Sequence, residues 1–407
     1  MKKKLLCILQ CILILALVSG CWSRKEPKSM AMVNSVLYDI KDNGESQLVV
    51  EIMNPTAETS GRGVSSEKIS ALTIVCESKT MPEAIRDESK SIDKVLFGGL
   101  NKVRLFSEKL SQNGIGAILD YLSRDHLADE TPLMVVVQDE NPERIYTCMT
   151  GLSDMVGNYF DSLSNTQQKS TCESVFVTCL QFMKDYYEDG KQPVMGLVKI
   201  VESGTGSSDT AQTSSQGIQN NAQKLHMRYE GLAAFRGDKL VGCMNGTEAR
   251  AYNMITNDFT TAFVSIPSDN DFTVAMIQKT KSKIKTSTQD EQVKIDVKIE
   301  AVLSVIQEGG AIDISKREGI KAVEQRFNKQ LKSEIAKSIE KAQSEFKSDI
   351  FGFGCFLHAQ QPQEWKKTKD NWDDIFSKAK ISVTVESSII REGEIKLPFT
   401  LEEKVND

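Results

Sequence analysis

Between Val293 and Val305 every second residue is apolar, in the order Val293, Ile295, Val297, Ile299, Ala301, Leu303 and Val305, and Lys294, Asp296, Lys298 and Glu300 alternate with them. A period of two over this length describes a β-strand with one dry face and one wet face. Downstream the period changes. Ile320, Val323, Phe327, Leu331, Ile335, Ile339, Ala342 and Phe346 fall on one stripe of a helix of about seven turns, enough to lie across a whole sheet. Ser315 and Glu318 have capping-box spacing at its start. The strand's dry face needs cover and the helix's stripe needs a surface, so the pair demands an α+β arrangement.

The same alternation extends outward from this pair. In the preceding strand Lys279, Lys281, Lys283 and Lys285 share a face. Phosphate headgroups could meet four such lysines, but Asp296 and Glu300 across the ladder are the simpler partners. Tyr229 to Phe235 and Lys239 to Cys243 flank Arg236-Gly237-Asp238, which reads as a hairpin turn rather than an adhesion triplet. Asn245 and Glu248 have capping-box spacing ahead of a helix through Ile255. Trp365 and Trp372 lie on one face of a shorter helix closing at Phe376, and Ile381, Val383 and Val385 begin a last strand.

The N-terminal half mixes both periods. Strands are expected at Val33 to Ile40, Gln47 to Met53, Lys68 to Cys76, Lys102 to Phe106 and Pro132 to Gln138. Helices are expected from about Pro82, at Gly114 to Ser123, at Met155 to Leu163 and at Glu173 to Tyr187. Pro193 to Glu202 is apolar on both faces, which suits a central strand. From Ser203 to Gln223 the chain is Gly, Ser, Thr, Gln and Asn with little to bury, the composition of a linker or long loop. With 407 residues there is chain for two to three domains. The expected fold class is α+β, several mixed or antiparallel β-sheets flanked by helices, with regions at 21–203 and 224–407 joined by the polar segment 204–223.

The N-terminus supplies an address. Lys2, Lys3 and Lys4 precede an uncharged stretch from Leu5 to Val18, too short for a lasting membrane span and suited to a secretory signal. Val18-Ser19-Gly20-Cys21 then resembles a bacterial lipobox, so residues 1–20 are read as a lipoprotein signal peptide. Lipid is expected on the Cys21 sulfur, and the two chains of a diacylglyceryl group anchor stably where a single chain does not. Removing the signal's three lysines takes the formal net charge from −6 to −9. That balance argues against nucleic acid and against electrostatic adhesion to anionic lipid.

Catalytic signatures are missing from the sequence. It has no G-x-S-x-G, H-E-x-x-H or Walker loop, and Ser203-Gly204-Thr205-Gly206 opens a polar linker rather than a helix. Its three histidines, His126, His226 and His358, lie far apart and no C-x-x-C occurs, so neither metal nor cofactor is expected. Six cysteines remain outside the signal and Cys21; they could pair, though nothing requires it. Cys172 and Cys179 are expected on one helix, which would hold their Cα atoms about 10 Å apart, beyond disulfide reach. Three functions are weighed on this basis: a non-enzymatic receptor subunit, a solute-binding lipoprotein serving a transporter, and a cell-wall enzyme. The second should show two repeating βα lobes and the third a placed acid or nucleophile. The residues nominate neither the second nor the third and show no chemistry of their own.

Several segments, in order, carry a resemblance. They are Gly20-Cys21-Trp22 with Arg24 and Glu26; Val50-Glu51-Ile52-Met53-Asn54-Pro55; Gly114-Ile115 ahead of Ile118-Leu119-Asp120-Tyr121 and Arg124-Asp125; and Glu230 to Phe235 leading into Asp238 to Gly242. Asp349-Ile350-Phe351-Gly352-Phe353-Gly354, Glu364-Trp365, Trp372 and Phe376 close the set. Together they resemble the Ger(x)C family, the lipoprotein subunit of bacterial spore germinant receptors. Cys243 stands where that family often has an aromatic residue, and Ser23 where it often has Asp. The resemblance implies an α+β fold and a place on the outer leaflet of the spore inner membrane, beside a multi-spanning A-type subunit and a transporter-like B-type subunit. It implies a nutrient-triggered role through protein contacts.

Overall fold

The computed structural model describes residues 30–53, 71–88, 92–125, 128–148, 153–166, 171–202, 225–268, 271–289, 292–308 and 316–391, with residues 90, 150 and 314. The signal, Cys21, the whole polar segment 204–223 and His126 lie outside them.

The larger sheet has nine strands: β1 (Met30–Ile40), β2 (Ser46–Met53), β3 (Ala71–Ser78), β4 (Val95–Phe97), β5 (Val103–Ser107), β6 (Leu133–Gln138), β7 (Val194–Glu202), β8 (Leu225–Arg236) and β9 (Lys239–Met244). Their order is β3-β2-β1-β5-β6-β7-β8-β9, with β4 also paired to β1. The centre, β1-β5-β6-β7, is parallel, and both flanks are antiparallel. Parallel strands need crossovers on the sheet's faces, so those faces become covered. One carries α1 (Met81–Glu88), α2 (Glu108–Asn113), α3 (Gly116–Arg124) and α5 (Cys179–Tyr187), whose Met81, Leu110, Ile118 and Phe182 pack into the same cluster as Phe106, Met134 and Val136. On the other, α4 (Val156–Thr166) places Val156 and Phe160 against Leu105, Val135 and Val198. β7 is interior, as its two apolar faces predict.

The smaller sheet is β10 (Ala262–Ser268), β11 (Asp271–Gln289), β12 (Gln292–Glu308) and β13 (Lys380–Arg391), in chain order, with only β12-β13 parallel. Here β12 is the alternating strand: Val293 through Val305 are buried on its odd positions. Two helices cover that side, α6 (Gly246–Thr256) and the 25-residue α7 (Arg317–Lys341), which reaches from β13 to β10. The stripe from Val323 to Ile339 is buried, and a π-helical turn over Ala342–Phe346 carries it to Phe346. Arg250 of α6 ties the two helices, reaching Glu334 of α7 and Glu173, each at 3.0 Å. One apolar cluster runs unbroken from Tyr38 and Phe106 through Phe235 to Ile295 and Phe327, so the two sheets share a core.

Several boundaries differ from those the sequence suggests. The helix expected over Glu173 to Tyr187 starts only at Cys179, with the Thr178 hydroxyl accepting from Gln181 N at 3.2 Å. Val175-Phe176-Val177 before it is stiff at χ1 and stays extended, bridging Ser174 to Gly231 and Thr178 to Leu133. Cys172 therefore lies outside that helix, with φ 52°. Ser315 is outside the described residues, and α7 begins at N-cap Lys316 with no side-chain cap. The tryptophan helix is two, α9 (Pro362–Thr368) and α10 (Trp372–Lys378), separated by a 3-10 turn and preceded by α8 (Phe353–Gln360). Elements α2, β4 and β10 are formed as well, where no expected element stood.

Candidate functional site

Asp349 is wholly buried at the junction of the two halves. Its carboxylate accepts from Gly352 N at 2.9 Å, Gly354 N at 2.8 Å and the Trp372 indole N–H at 2.9 Å. Burial pushes this carboxyl up to about 6, against the downward pull of those donors. Trp372 meets Trp365 edge-on at 5.4 Å, and Trp365 stacks with His358 at 5.6 Å. The cluster presses on the loop before β7. A Cβ on Gly354 would lie 2.6 Å from Gly190 Cα, and Gly190 itself has φ +91°. Only paired glycines allow that backbone approach. Gln192 N donates to Asp349 O at 2.9 Å, and the Ser348 hydroxyl donates to Phe235 O at 2.6 Å. The segment from Asp349 to Trp372 is thus a clasp between the sheets.

Other acids of the recurring segments also hold backbone. Glu51, 4 % exposed, accepts from Val156 N at 2.9 Å and Gly157 N at 3.2 Å at the start of α4, and from the Ser35 hydroxyl at 2.9 Å. A helix N-terminus favours a carboxylate there, while burial raises its pKa. Asp238, in the hairpin turn, accepts from Gly116 N of α3 at 3.0 Å, so the Arg-Gly-Asp triplet is a structural turn. None of the six described cysteines forms a disulfide. Burial pushes the thiols of Cys148, Cys243 and Cys355 up to about 12, far from nucleophilic. Among the described residues no cluster of His, Cys, Asp and Glu is arranged to hold a metal, and no helix is long and apolar enough to cross a membrane.

What the described residues do offer is surface. The side of the smaller sheet away from α7 is uncovered. At one end it carries the lysine row: Lys281 faces Glu300 and Lys285 faces Asp296 in register, and Lys283 Nζ reaches Glu300 at 2.7 Å. The opposite end is apolar, with Phe263 54 %, Phe272 44 %, Ile306 53 % and Ile390 60 % exposed. Exposed apolar side chains gathered in this way are the kind of surface that meets a partner. The alternating pattern predicted a wet face but not its apolar end, because β10 was missed and Phe263 sits on it.

Comparison with known proteins follows the same division of the chain. Residues 23–200 match the family described as "Spore germination protein N-terminal domain", and residues 230–393 the one described as "Spore germination B3/ GerAC like, C-terminal". Two relatives from Bacillus subtilis (strain 168) align nearly end to end. Spore germination protein KC is 23 % identical over 95 % of this chain and 96 % of its own, and spore germination protein B3 is 22 % identical over 94 % and 96 %. The crystal structure of the GerBC protein has the same fold, with a TM-score of 0.52 over 87 % of this chain and 96 % of that one at 18 % identity. Matched along both halves and in fold, the chain belongs to the Ger(x)C family, the C subunits of spore germinant receptors.

Proposed function

We propose that this chain is the lipid-anchored C subunit of a nutrient germinant receptor. It stands on the outer leaflet of the spore inner membrane and transmits the nutrient signal through contacts with integral membrane subunits rather than by catalysis. The observation that carries this reading is the correspondence over about the full length of the B. subtilis spore germination proteins, preceded here by the Val18-Ser19-Gly20-Cys21 lipobox. Nine positions separate Cys21 from Met30, where β1 begins, so the larger sheet starts at most about 30 Å from the anchor. The module is held within reach of membrane proteins, and two acyl chains keep it there. Two buried carboxylates of the segments that carry the resemblance, Asp349 and Glu51, are occupied with backbone donors, which suits a scaffold.

Two strains test the proposal. Cys21→Ala should leave the protein unprocessed and shift it out of the lipid-modified membrane fraction; full processing and unchanged lipid labelling would refute the anchor. Deleting the gene should slow or block nutrient-triggered germination while growth and sporulation stay normal. Unaltered germination in a strain without a second copy of the family would refute the receptor role.

A further inference from the structure

Arg104 is the odd residue of β5. It sits between Val103 and Leu105 on an interior strand, beside Val36 of β1 and Met134 of β6, and is 3 % exposed. Its Nε and Nη1 have no hydrogen-bond partner, although the guanidinium meets the Cys179 thiol and its charge is felt by Asp129. A guanidinium buried with two donors unmet loses hydration that its remaining contacts return only in part, and burying such a charge costs several kcal/mol in general. Its side chain lies on the helix-covered face that carries Phe106 and borders a cavity of about 170 Å³. The walls are apolar, among them Val36, Leu48, Val50 and Phe97, and Tyr38 lies beside them. Asp125, also on the wall, accepts from the Tyr121 hydroxyl at 3.3 Å.

The geometry points to a binding site for a small monocarboxylate with a compact apolar body, its carboxylate taken by Arg104 and its hydrocarbon part by the cavity. A carboxylate accepts a charge-assisted N–H···O bond from either of these unmet donors, which is stronger than a bond between neutral groups. The size fits as well, since an apolar cavity of about 150 Å³ accepts benzene. A ligand of this class would supply the acceptor that Nε and Nη1 lack. This inference stands apart from the receptor reading: it concerns the larger sheet, and neither the anchor nor the open face of the smaller sheet enters it.

The test uses the full-length chain in detergent, titrated with 4-methylpentanoate and with its uncharged amide. The acid should bind saturably and raise the melting temperature, and the amide should not. Arg104→Met should weaken the acid by roughly tenfold or more. Equal behaviour of acid and amide, wild-type affinity in Arg104→Met, or no saturable binding at millimolar acid would overturn the proposal. Should Arg104→Met fail to fold, Val36→Phe decides the matter. It fills the cavity and leaves the charge, so it must abolish binding; retained binding would overturn the site equally.

Discussion

β6 and β12 both lie inside a sheet, yet they are buried in opposite manners. β6 has helices against both faces, and all of Leu133 to Val137 is buried. β12 has α7 and α6 on one side and water on the other, so burial there follows alternate residues. A strand buried on both faces is scaffold, whereas a strand with an open face leaves surface for a partner. In this protein the larger sheet is therefore buried scaffold, the smaller one keeps an open face that the proposed function assigns to partners, and the Asp349 clasp ties the two together.

The strongest way to break that comparison is one acid on each sheet. Val135→Asp puts an unpaired charge where no water reaches and should cost more than about 5 kcal/mol, enough to abolish soluble expression. Thr384→Asp, on the open side of β13 opposite Lys298, should stay within about 0.5 kcal/mol of wild type in urea unfolding. Similar losses for both would deny the difference between the sheets.

The clasp comes next in size. Trp365→Ala and Trp372→Ala should each cost about 3–5 kcal/mol, since both rings are buried; losses below about 1 kcal/mol would mean that the junction is loosely packed. Asp349→Asn removes an acceptor that serves two N–H groups and should cost about 2–4 kcal/mol. Its pH dependence has a definite sign. The folded carboxyl titrates near 6 and the unfolded one near 3.8, so between those values the folded chain holds a proton that the unfolded chain has released. Stability from this group is therefore greatest in acid and declines as pH rises through 6. Measured against Asp349→Asn, wild type should gain about 1 kcal/mol on going from pH 7 to pH 5. A loss over that range would show the three donors outweighing burial. Smallest of all is the lysine row: Lys283→Ala should leave the unfolding midpoint unmoved, because an exposed ion pair is screened by water and salt.

The same contrast governs how much the sequence disclosed. β11, β12 and α7 were legible because one wet face imposes a period, and the capping box of Asn245 and Glu248 was legible because its chemistry is local. The run at Val175-Phe176-Val177 was misread as helix because its extended form comes from bridges to Gly231 and Leu133, which are remote in sequence. The clasp showed itself only as a string of recurring residues. Nothing local tells that Gly354 must meet Gly190, or that Asp349 is to be filled by main-chain donors. Arg104 gave no signal, since one arginine in a five-residue strand reads as a wet-face residue until the sheet order is known.

The central claim is that the open face of the smaller sheet carries the contact and the rest carries the fold. Spores in which Phe272→Glu and Ile306→Glu replace the exposed apolar end test it most directly, with protein level and membrane association checked in the same spores. The account predicts a folded, anchored protein and slowed nutrient-triggered germination, while germination at the wild-type rate would contradict it.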